Sequence, residues 1–449
     1  MGERAELPQG WELVKLKQVV ATDGVFIDGD WVESKDQDPE GDIRLIQLAD
    51  VGDGNYRNRS NRFMTLEKAT KLNCTFMQAG DVLVARMPDP LGRACIFPGD
   101  EKQAVTVVDV CIIRTGKFGV DHRWLMNTLN SSVFRASIAA LQSGSTRLRI
   151  SRKNLETIEF PLPPLPEQRR IVAKLEELFS RLDAGVAAVR RTQALLKRYR
   201  QSVLHAAVTG ELTRAWREAH PAPTETGAAL LTRIRAERRA QWEAAQVAKR
   251  GGQLPLNDAW KSKYVEPAAP DTSELPELPA GWVWSTLGNL LINRDGERIP
   301  VNSSERAKRQ GDFDYYGASG VIDKVDDFLF DKPLLLIGED GANLLSRSTP
   351  IAFIAKGKYW VNNHAHVLDA ESILTLDFAK NYVNSIDLTP FVTGTAQPKL
   401  NQAKLNGIPI PVPPLAEQAE IVAEVERRLT VLDALSQTLT AELKRAERL

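Results

Sequence analysis

The residues best suited to contact nucleic acid gather in one short stretch. Ser145-Thr146-Arg147-Leu148-Arg149-Ile150-Ser151-Arg152-Lys153 mixes hydroxyls with cations, Asn154 adds an amide, and Gly144 frees the approach. Arginine can place two hydrogen bonds on a guanine edge, while Ser, Thr and Lys suit phosphate oxygens. Ser145, Thr146, Arg147, Arg149 and Lys153 are therefore candidate DNA contacts, and a merely solvated basic loop is the plainer reading. A second stretch, Thr393-Gly394-Thr395-Ala396-Gln397-Pro398-Lys399 with Asn401, is polar but less basic. Thr395, Gln397 and Lys399 are its candidates, glutamine being suited to adenine edges. Other glycine-bearing polar turns offer Tyr316, Ser319, Asn343, Asn363 and His364. Arg86, Arg93 and the Arg57-Asn58-Arg59 run are comparable in the N-terminal half.

Catalytic chemistry finds less support. His364 and His366 could suggest a metal, but no cysteine lies near and alternate strand residues point to opposite faces. Glu33-Ser34-Lys35 after Asp28 and Asp30 has nuclease residue types, but nothing duplicates it later in the chain. A DNA methyltransferase needs an Asn/Asp-Pro-Pro-aromatic loop, which Pro88-Asp89-Pro90 is not, and there is no P-loop. The expectation is recognition, with no catalytic residue, metal or cofactor in this chain.

The elements that position these residues occur twice. Residues 155–173 (LETIEFPLPPLPEQRRIVA) return as 405–423 (LNGIPIPVPPLAEQAEIVA), an ungapped offset of 417 − 167 = 250 that also relates Gly144 to Gly394. Leu7-Pro8-Gln9-Gly10-Trp11 returns as Leu278-Pro279-Ala280-Gly281-Trp282, at 282 − 11 = 271. Similar ends around dissimilar middles suggest one scaffold carrying two binding surfaces, against a duplication that repeats only a stable fold.

After each proline-rich joint the period becomes helical. Ile171, Leu175, Leu178, Leu182, Val186 (or Gly185) and Val189 are spaced by threes and fours, as are Ile421, Val425, Leu429 and Leu432. Glu167 and Gln168, like Glu417 and Gln418, open the helices. The expectation is two helices of at least about 30 residues, roughly 50 Å each at 1.5 Å per residue, packed antiparallel as a spacer. Two globular bodies then lie at its ends in a pseudo-two-fold dumbbell. Pro161, Pro163, Pro164 and Pro166 act as stiff joints, unable to continue a strand or enter the helix. A charged patch at 226–249 predicts another helix, its mixed charge marking a solvated face or a surface for a partner protein or for phosphates, and 251–277 reads as a linker.

Apolar runs at 43–51, 81–86, 93–99 and 105–114, then at 333–341, 350–357 and 359–368, predict strands. Stretches 125–141 and 374–385 predict helices. The fold class is α+β with mixed sheets. The segments are a first recognition body (1–163), spacer helix and joint (164–220), helical segment and linker (221–275), second body (276–413) and second spacer helix (414–449). The chain has 449 residues, 58 basic against 58 acidic, 43% hydrophobic and 26% charged, which allows several cores and excludes global disorder. No apolar run is long enough for a membrane span, and no secretory signal is visible at the N-terminus. Three cysteines with no zinc spacing fit a reducing, cytoplasmic setting.

The Gly-Trp openings and the duplicated Pro-x-Pro-Pro-Leu-x-Glu-Gln-x-x-Ile-Val joints resemble the specificity subunit of type I restriction–modification enzymes. So do Val208-Thr209-Gly210-Glu211-Leu212-Thr213, Trp216-Arg217, Tyr316–Gly320 and Trp360–His364. The resemblance covers essentially the whole chain. It implies two target recognition domains, each reading half of a split site on double-stranded DNA, with the helices setting the gap. It also implies two adenine methyltransferase subunits docked on the spacer and joints. Glu167, Gln168, Ile171, Leu175, Leu182, Glu417, Gln418, Ile421, Val425 and Leu432 are the candidate docking and spacer residues. Two restriction subunits complete the implied assembly, with S-adenosylmethionine, ATP and magnesium on the partners. Two other readings stay open: a coiled-coil adaptor that binds only protein, and the specificity subunit of a type II-like methyltransferase system.

Overall fold

The structure is a computed structural model. It describes residues 6–448 except 89, 118, 119, 145, 146, 222, 252, 254–256 and 395. The chain forms two compact units, Met1–Gly185 and Val186–Leu449.

Unit 1 is built on a four-stranded antiparallel sheet in the spatial order Val25–Asp28, Val110–Arg114, Val82–Ala85, Ala94–Ile96. A smaller sheet sets Ile43–Ile46 between Phe63–Met64, antiparallel, and Ala104–Thr106, parallel. Unit 2 repeats both. Its first sheet runs Ile292–Asn293, Ala365–Asp369, Leu334–Gly338, Ala352–Ala355, antiparallel throughout. Its second runs Gly320–Val325, Phe313–Gly317, Lys358–Val361, Phe330–Asp331, again with one parallel pair. The α+β class of the sequence is what is observed.

Every residue of Val82–Ala85 and of Leu334–Gly338 is buried, because each strand is covered on both faces. Alternation then splits them between two cores. Val82 and Val84 pack with Trp124, Leu129, Phe134 and Val172, whereas Leu83 and Ala85 pack with Ile46, Phe97 and Ile112.

Three expected elements are subdivided. The 105–114 run is two strands, and so is 359–368, where Asn362, Asn363 and His364 form the turn between them. The 125–141 stretch is two helices, His122–Asn130 and Ser132–Leu141. Ser131 separates them in an extended conformation, and its hydroxyl accepts from Phe134 N at 3.2 Å, an N-cap that competes with helix continuation.

The matching ends of the repeat pair with each other. Glu12–Lys15 is antiparallel to Glu159–Leu162, with Glu12 opposite Leu162. Val283–Thr286 is antiparallel to Pro409–Val412, with Val283 opposite Val412. The two offsets, 271 and 250, thus meet in one ribbon of identical register. This corrects the proline reading: Pro161, Pro409 and Pro411 lie inside strands. A two-stranded ribbon leaves an outer edge where a missing N–H costs nothing. Pro166 also lies within the first turn of a helix, where its N–H would be unpaired anyway.

The first long helix is Leu165–Val208 and the second is Leu415–Ala446. Within unit 2 their packing is antiparallel. Gln193 reaches Thr440, Arg200 pairs with Asp433, and Val203, Leu204 and Ala207 share a core with Ile421, Val422 and Val425. Within 209–264, described residues of unit 2 are also packed. Helix Gly227–Ala248 buries Leu230 and Leu231, Arg233 pairs with Glu225 and Glu371, and Trp260 stacks on Trp242 with centroids 5.7 Å apart. Among the described residues no helix is long and apolar enough to cross a membrane.

Candidate nucleic-acid interface

The two candidate stretches are closed in the same way. Ser143 and Arg149 exchange backbone hydrogen bonds, both 2.8 Å; Thr393 and Lys399 do the same, both 2.8 Å. The partners are related by the 250-residue offset. Gly144 and Gly394 both have positive φ, +98° and +82°, and a Cβ there would lie 2.3 Å from the Arg147 carbonyl or 2.7 Å from that of Gln397. Glycine is required to turn the chain this tightly. Each loop runs into a capped helix: Ser151 accepts from Asn154 N at 3.1 Å, and Asn401 from Lys404 N at 2.9 Å.

What differs is the side chains. Arg147, Arg149 and Lys153 are exposed, and among the described residues they have no side-chain hydrogen bond or ion pair. In unit 2, Gln397 and Lys399 are exposed. Ser145, Thr146 and Thr395 lie outside the described residues.

The residue beneath each loop is inverted in charge. Ile150 N donates to the Arg86 carbonyl at 3.1 Å, and Leu400 N to the Glu339 carbonyl at 2.8 Å. Arg86 turns inward, with Nη1 3.4 Å from Asp28 Oδ1 and another bond to the Val108 carbonyl. Glu339 is buried and meets Arg298 at 2.9 Å and Lys399 at 3.1 Å. Burial pushes the Glu339 carboxyl up, but Arg298, His366 and Lys399 outweigh it and hold the group below its ordinary value.

The unit 2 turns converge on that site. Glu339 N donates to the His364 carbonyl at 2.8 Å, Gly341 N to Pro398 at 3.1 Å, and Asn362 N to Tyr316 at 3.1 Å. His364, exposed, sits 2.7 Å from Asp340, and Asn363 and Ser319 are exposed nearby in their turns. His366 is buried between Asp295 at 2.6 Å and the Leu400 carbonyl at 2.7 Å. Tyr316 is partly buried against Phe353 and Tyr359.

Several candidates are redirected. Arg93 is 4% exposed and donates to the carbonyls of Val51, Met87, Pro90 and Leu48 at 2.6–3.2 Å. It staples loops inside unit 1. Asn343 spends its amide on Thr349 and Ser348. Glu417 and Gln418 are buried too. The Trp282 indole donates to Glu417 at 2.7 Å, as do Thr213 at 2.8 Å and Arg217 at 2.5 Å. Gln418 donates to the Pro413 carbonyl at 2.9 Å and accepts from Thr375 at 3.0 Å. Gln168 repeats this with Pro163 at 2.8 Å and Asp121 N at 2.9 Å, and Trp11 repeats the indole contact on Glu167 at 3.2 Å. These residues fasten each long helix to its own body. Ile421, Val425 and Leu432 are likewise buried, while Ile171, Leu175 and Leu182 are half-buried.

The model of the type I restriction modification DNA specificity domain matches residues 8–186 and, separately, 279–445. The chain belongs to this family. A putative type I restriction enzyme specificity subunit of Haemophilus influenzae is 38% identical over 159 residues, 35% of this chain and 38% of that protein. The StySPI specificity subunit of Salmonella potsdam is 26% identical over 357 residues, 75% of this chain and 64% of that protein. Both matches span less than two thirds of the relative's length. Two solved structures share the fold. One, from work on assembly and conformational transition of the type I R-M system, has a TM-score of 0.62 at 16% identity and covers 99% of this chain and 96% of that one. The HsdS subunit of Thermoanaerobacter tengcongensis has a TM-score of 0.55 at 17% identity, with 98% and 95% covered.

Within each specificity domain the functional-looking loop is held by elements that sequence reasoning did not connect. The opening strand pairs with the proline strand and the indole locks the helix start. The signal was present as two offsets that match only at the ends.

Proposed function

We propose that this chain is the sequence-reading subunit of a type I restriction–modification complex. Each specificity domain reads one half of an asymmetric, bipartite site in double-stranded DNA, and the long helices set the gap. Two methyltransferase subunits and, with them, two restriction subunits assemble on it in the cytoplasm. S-adenosylmethionine, ATP and magnesium belong to those partners.

The observation that carries this reading is the loop pair 143–149 and 393–399. An identical backbone closure presents Arg147 and Arg149 in one unit and Gln397 and Lys399 in the other. Fixed backbone with exchanged polar tips suits two different base sequences, since base edges are told apart by side-chain donors and acceptors. A protein-only adaptor has no use for that exchange.

The test is single-molecule sequencing of DNA from cells expressing this chain with the neighbouring methyltransferase gene, against cells lacking the chain. A split, asymmetric methyladenine motif that depends on the chain is expected. A palindromic motif, or the same marks without the chain, contradicts the reading.

A further inference from the structure

Asp340 stands between the loop 393–399 and the turn 362–364 of unit 2. Across an isolated antiparallel bridge it faces Lys399. The bonds on either side of that bridge run from Gly341 N to the Pro398 carbonyl at 3.1 Å and from Leu400 N to the Glu339 carbonyl at 2.8 Å. Glu339 N in turn donates to the His364 carbonyl at 2.8 Å, so residues 339–341 join loop and turn through the backbone.

The side chains complete the link. The Asp340 carboxylate meets His364 Nδ1 at 2.7 Å, with the carboxylate 33% and the imidazole 51% exposed. His364 N donates to the buried Asn362 side chain at 2.8 Å, which fixes the turn beneath the ring. Among the described residues His364 Nε2 has no hydrogen-bond partner. His366, two residues on, is the contrast: it is buried, and Asp295 and the Leu400 carbonyl engage both of its nitrogens.

A carboxylate can only accept, so Asp340 holds the ring proton on Nδ1, and in the neutral ring Nε2 is left as an outward acceptor. Acceptors are scarce on these surfaces. Lys399 carries donors alone, as do the exposed Arg147, Arg149 and Lys153 of unit 1. In unit 1 the residue after Arg86 is Met87, buried and without a carboxylate, so that position cannot orient a ring in this way.

We propose that Asp340 is a positioning residue for specificity. It sets the tautomer and the orientation of His364, whose Nε2 accepts from an exocyclic amino group in the major groove, adenine N6 or cytosine N4, in the half-site of unit 2. This rests on the DNA reading above and assigns one contact within it. The other charged groups around the pair are Lys399 and Glu339 beside it, with Arg298, His366 and Asp295 behind.

The test titrates the chain, assembled with its methyltransferase subunits, against duplexes carrying its methylation motif. Each adenine in turn is replaced by purine and each cytosine by 2-pyrimidinone, which lack only the amino group, so the two arms tell the bases apart. One position is expected at which this loss weakens binding roughly fivefold, the worth of about one neutral hydrogen bond. It lies in the half that Arg147→Ala/Arg149→Ala leaves intact. His364→Ala and Asp340→Ala should both abolish the penalty there while the other half is read as before. Should Asp340→Ala weaken both halves, the isosteric Asp340→Asn decides, and it should reduce the same penalty. His364→Gln, whose amide oxygen accepts without help, should keep a penalty that no longer depends on Asp340, a coupling that a merely structural residue does not give. Protonating the ring turns Nε2 into a donor, so acidification from pH 8 to pH 6 should erode the native penalty and spare that of His364→Gln. A penalty that persists in His364→Ala, no such position in a complex that reads its motif, or discrimination that rises in acid overturns the proposal, the last by making His364 a cationic donor. A chain that yields no bipartite motif overturns the DNA reading and this proposal with it.

Discussion

The Trp282 indole donates to Glu417 at 2.7 Å, and Trp11 repeats the contact on Glu167 at 3.2 Å, so the tryptophan near the start of each repeat fastens the helix that follows it. The two contacts differ in surroundings. Glu417 is 1% exposed and also holds Thr213 and Arg217. Removing one member of a buried, hydrogen-bonded charge pair costs about 3–5 kcal/mol. Glu417→Ala should therefore loosen unit 2 strongly and speed hydrogen exchange across residues 209–231. Glu167→Ala should perturb unit 1 by about 1 kcal/mol, as for a more exposed bond. Equal effects would show that the cover on Glu417 contributes nothing.

Arg93 and Arg147 are both arginines of unit 1, but their replacement should separate stability from recognition. Arg93→Ala removes the guanidinium from four carbonyls, and the two buried bonds, to Val51 and Met87, leave acceptors unmet at about 1–3 kcal/mol each where water cannot enter. A Tm lower by several degrees is expected, with the recognised motif unchanged in whatever protein folds. Arg93→Lys should not rescue it, because an ammonium cannot span the guanidinium's fork of acceptors. A changed motif at unchanged Tm would return Arg93 to the interface.

Much of this was visible in the residues. The long helices and the repeat follow from period and offset, and apolar runs mark the central strands of both larger sheets, two of the runs hiding a turn such as Asn362–His364. Val25–Asp28, Phe313–Gly317 and Gly320–Val325 are not marked, because polar and charged residues break their short apolar stretches. That Arg93 is buried on carbonyls is not legible, because a basic residue flanked by Gly92 and Ala94 looks the same in sequence whether it faces solvent or backs onto carbonyls. Arg147 and Arg149 stand out in the sequence because they follow a glycine that the repeat preserves. The ribbon was missed because proline argues against strands, an argument that fails on an edge.

Acidification should separate the two loop frameworks. Glu339 and Asp295 both have carboxyls held below their ordinary values. For each, burial raises the group and the surrounding cations and donors more than offset it, with Arg298 foremost for Glu339 and His366 for Asp295. A depressed folded pKa means stability that is present above the ordinary carboxylate range and is lost as pH falls through the folded value. Unit 2 should thus weaken in acid through this cluster, while unit 1 carries Arg86 at the equivalent position. Hydrogen exchange of residues 334–341 and 393–400 between pH 7 and pH 3, compared with Glu339→Gln, tests this. A variant with the same acid sensitivity as the native chain would exclude Glu339 as the source.

Gly144→Ala and Gly394→Ala should each distort one loop. A non-glycine residue in left-handed backbone costs roughly 1–2 kcal/mol, and here the new Cβ also meets a carbonyl. Each variant should weaken binding of the assembled complex through its own half-site, and Gly144→Ala more, because its Cβ comes closer. Electrophoretic mobility shifts on DNA altered in one half at a time read this out. A loss spread evenly over both halves would point to assembly instead.

The central claim is that each unit reads its own half of the site through its own loop. The most direct measurement is single-molecule methylation sequencing of cells expressing the Arg147→Ala/Arg149→Ala chain with its methyltransferase, beside the native chain. One half of the motif should become degenerate or be lost while the bases specified in the other half stay the same. An unaltered motif, or equal relaxation of both halves in a chain that still assembles, would contradict it.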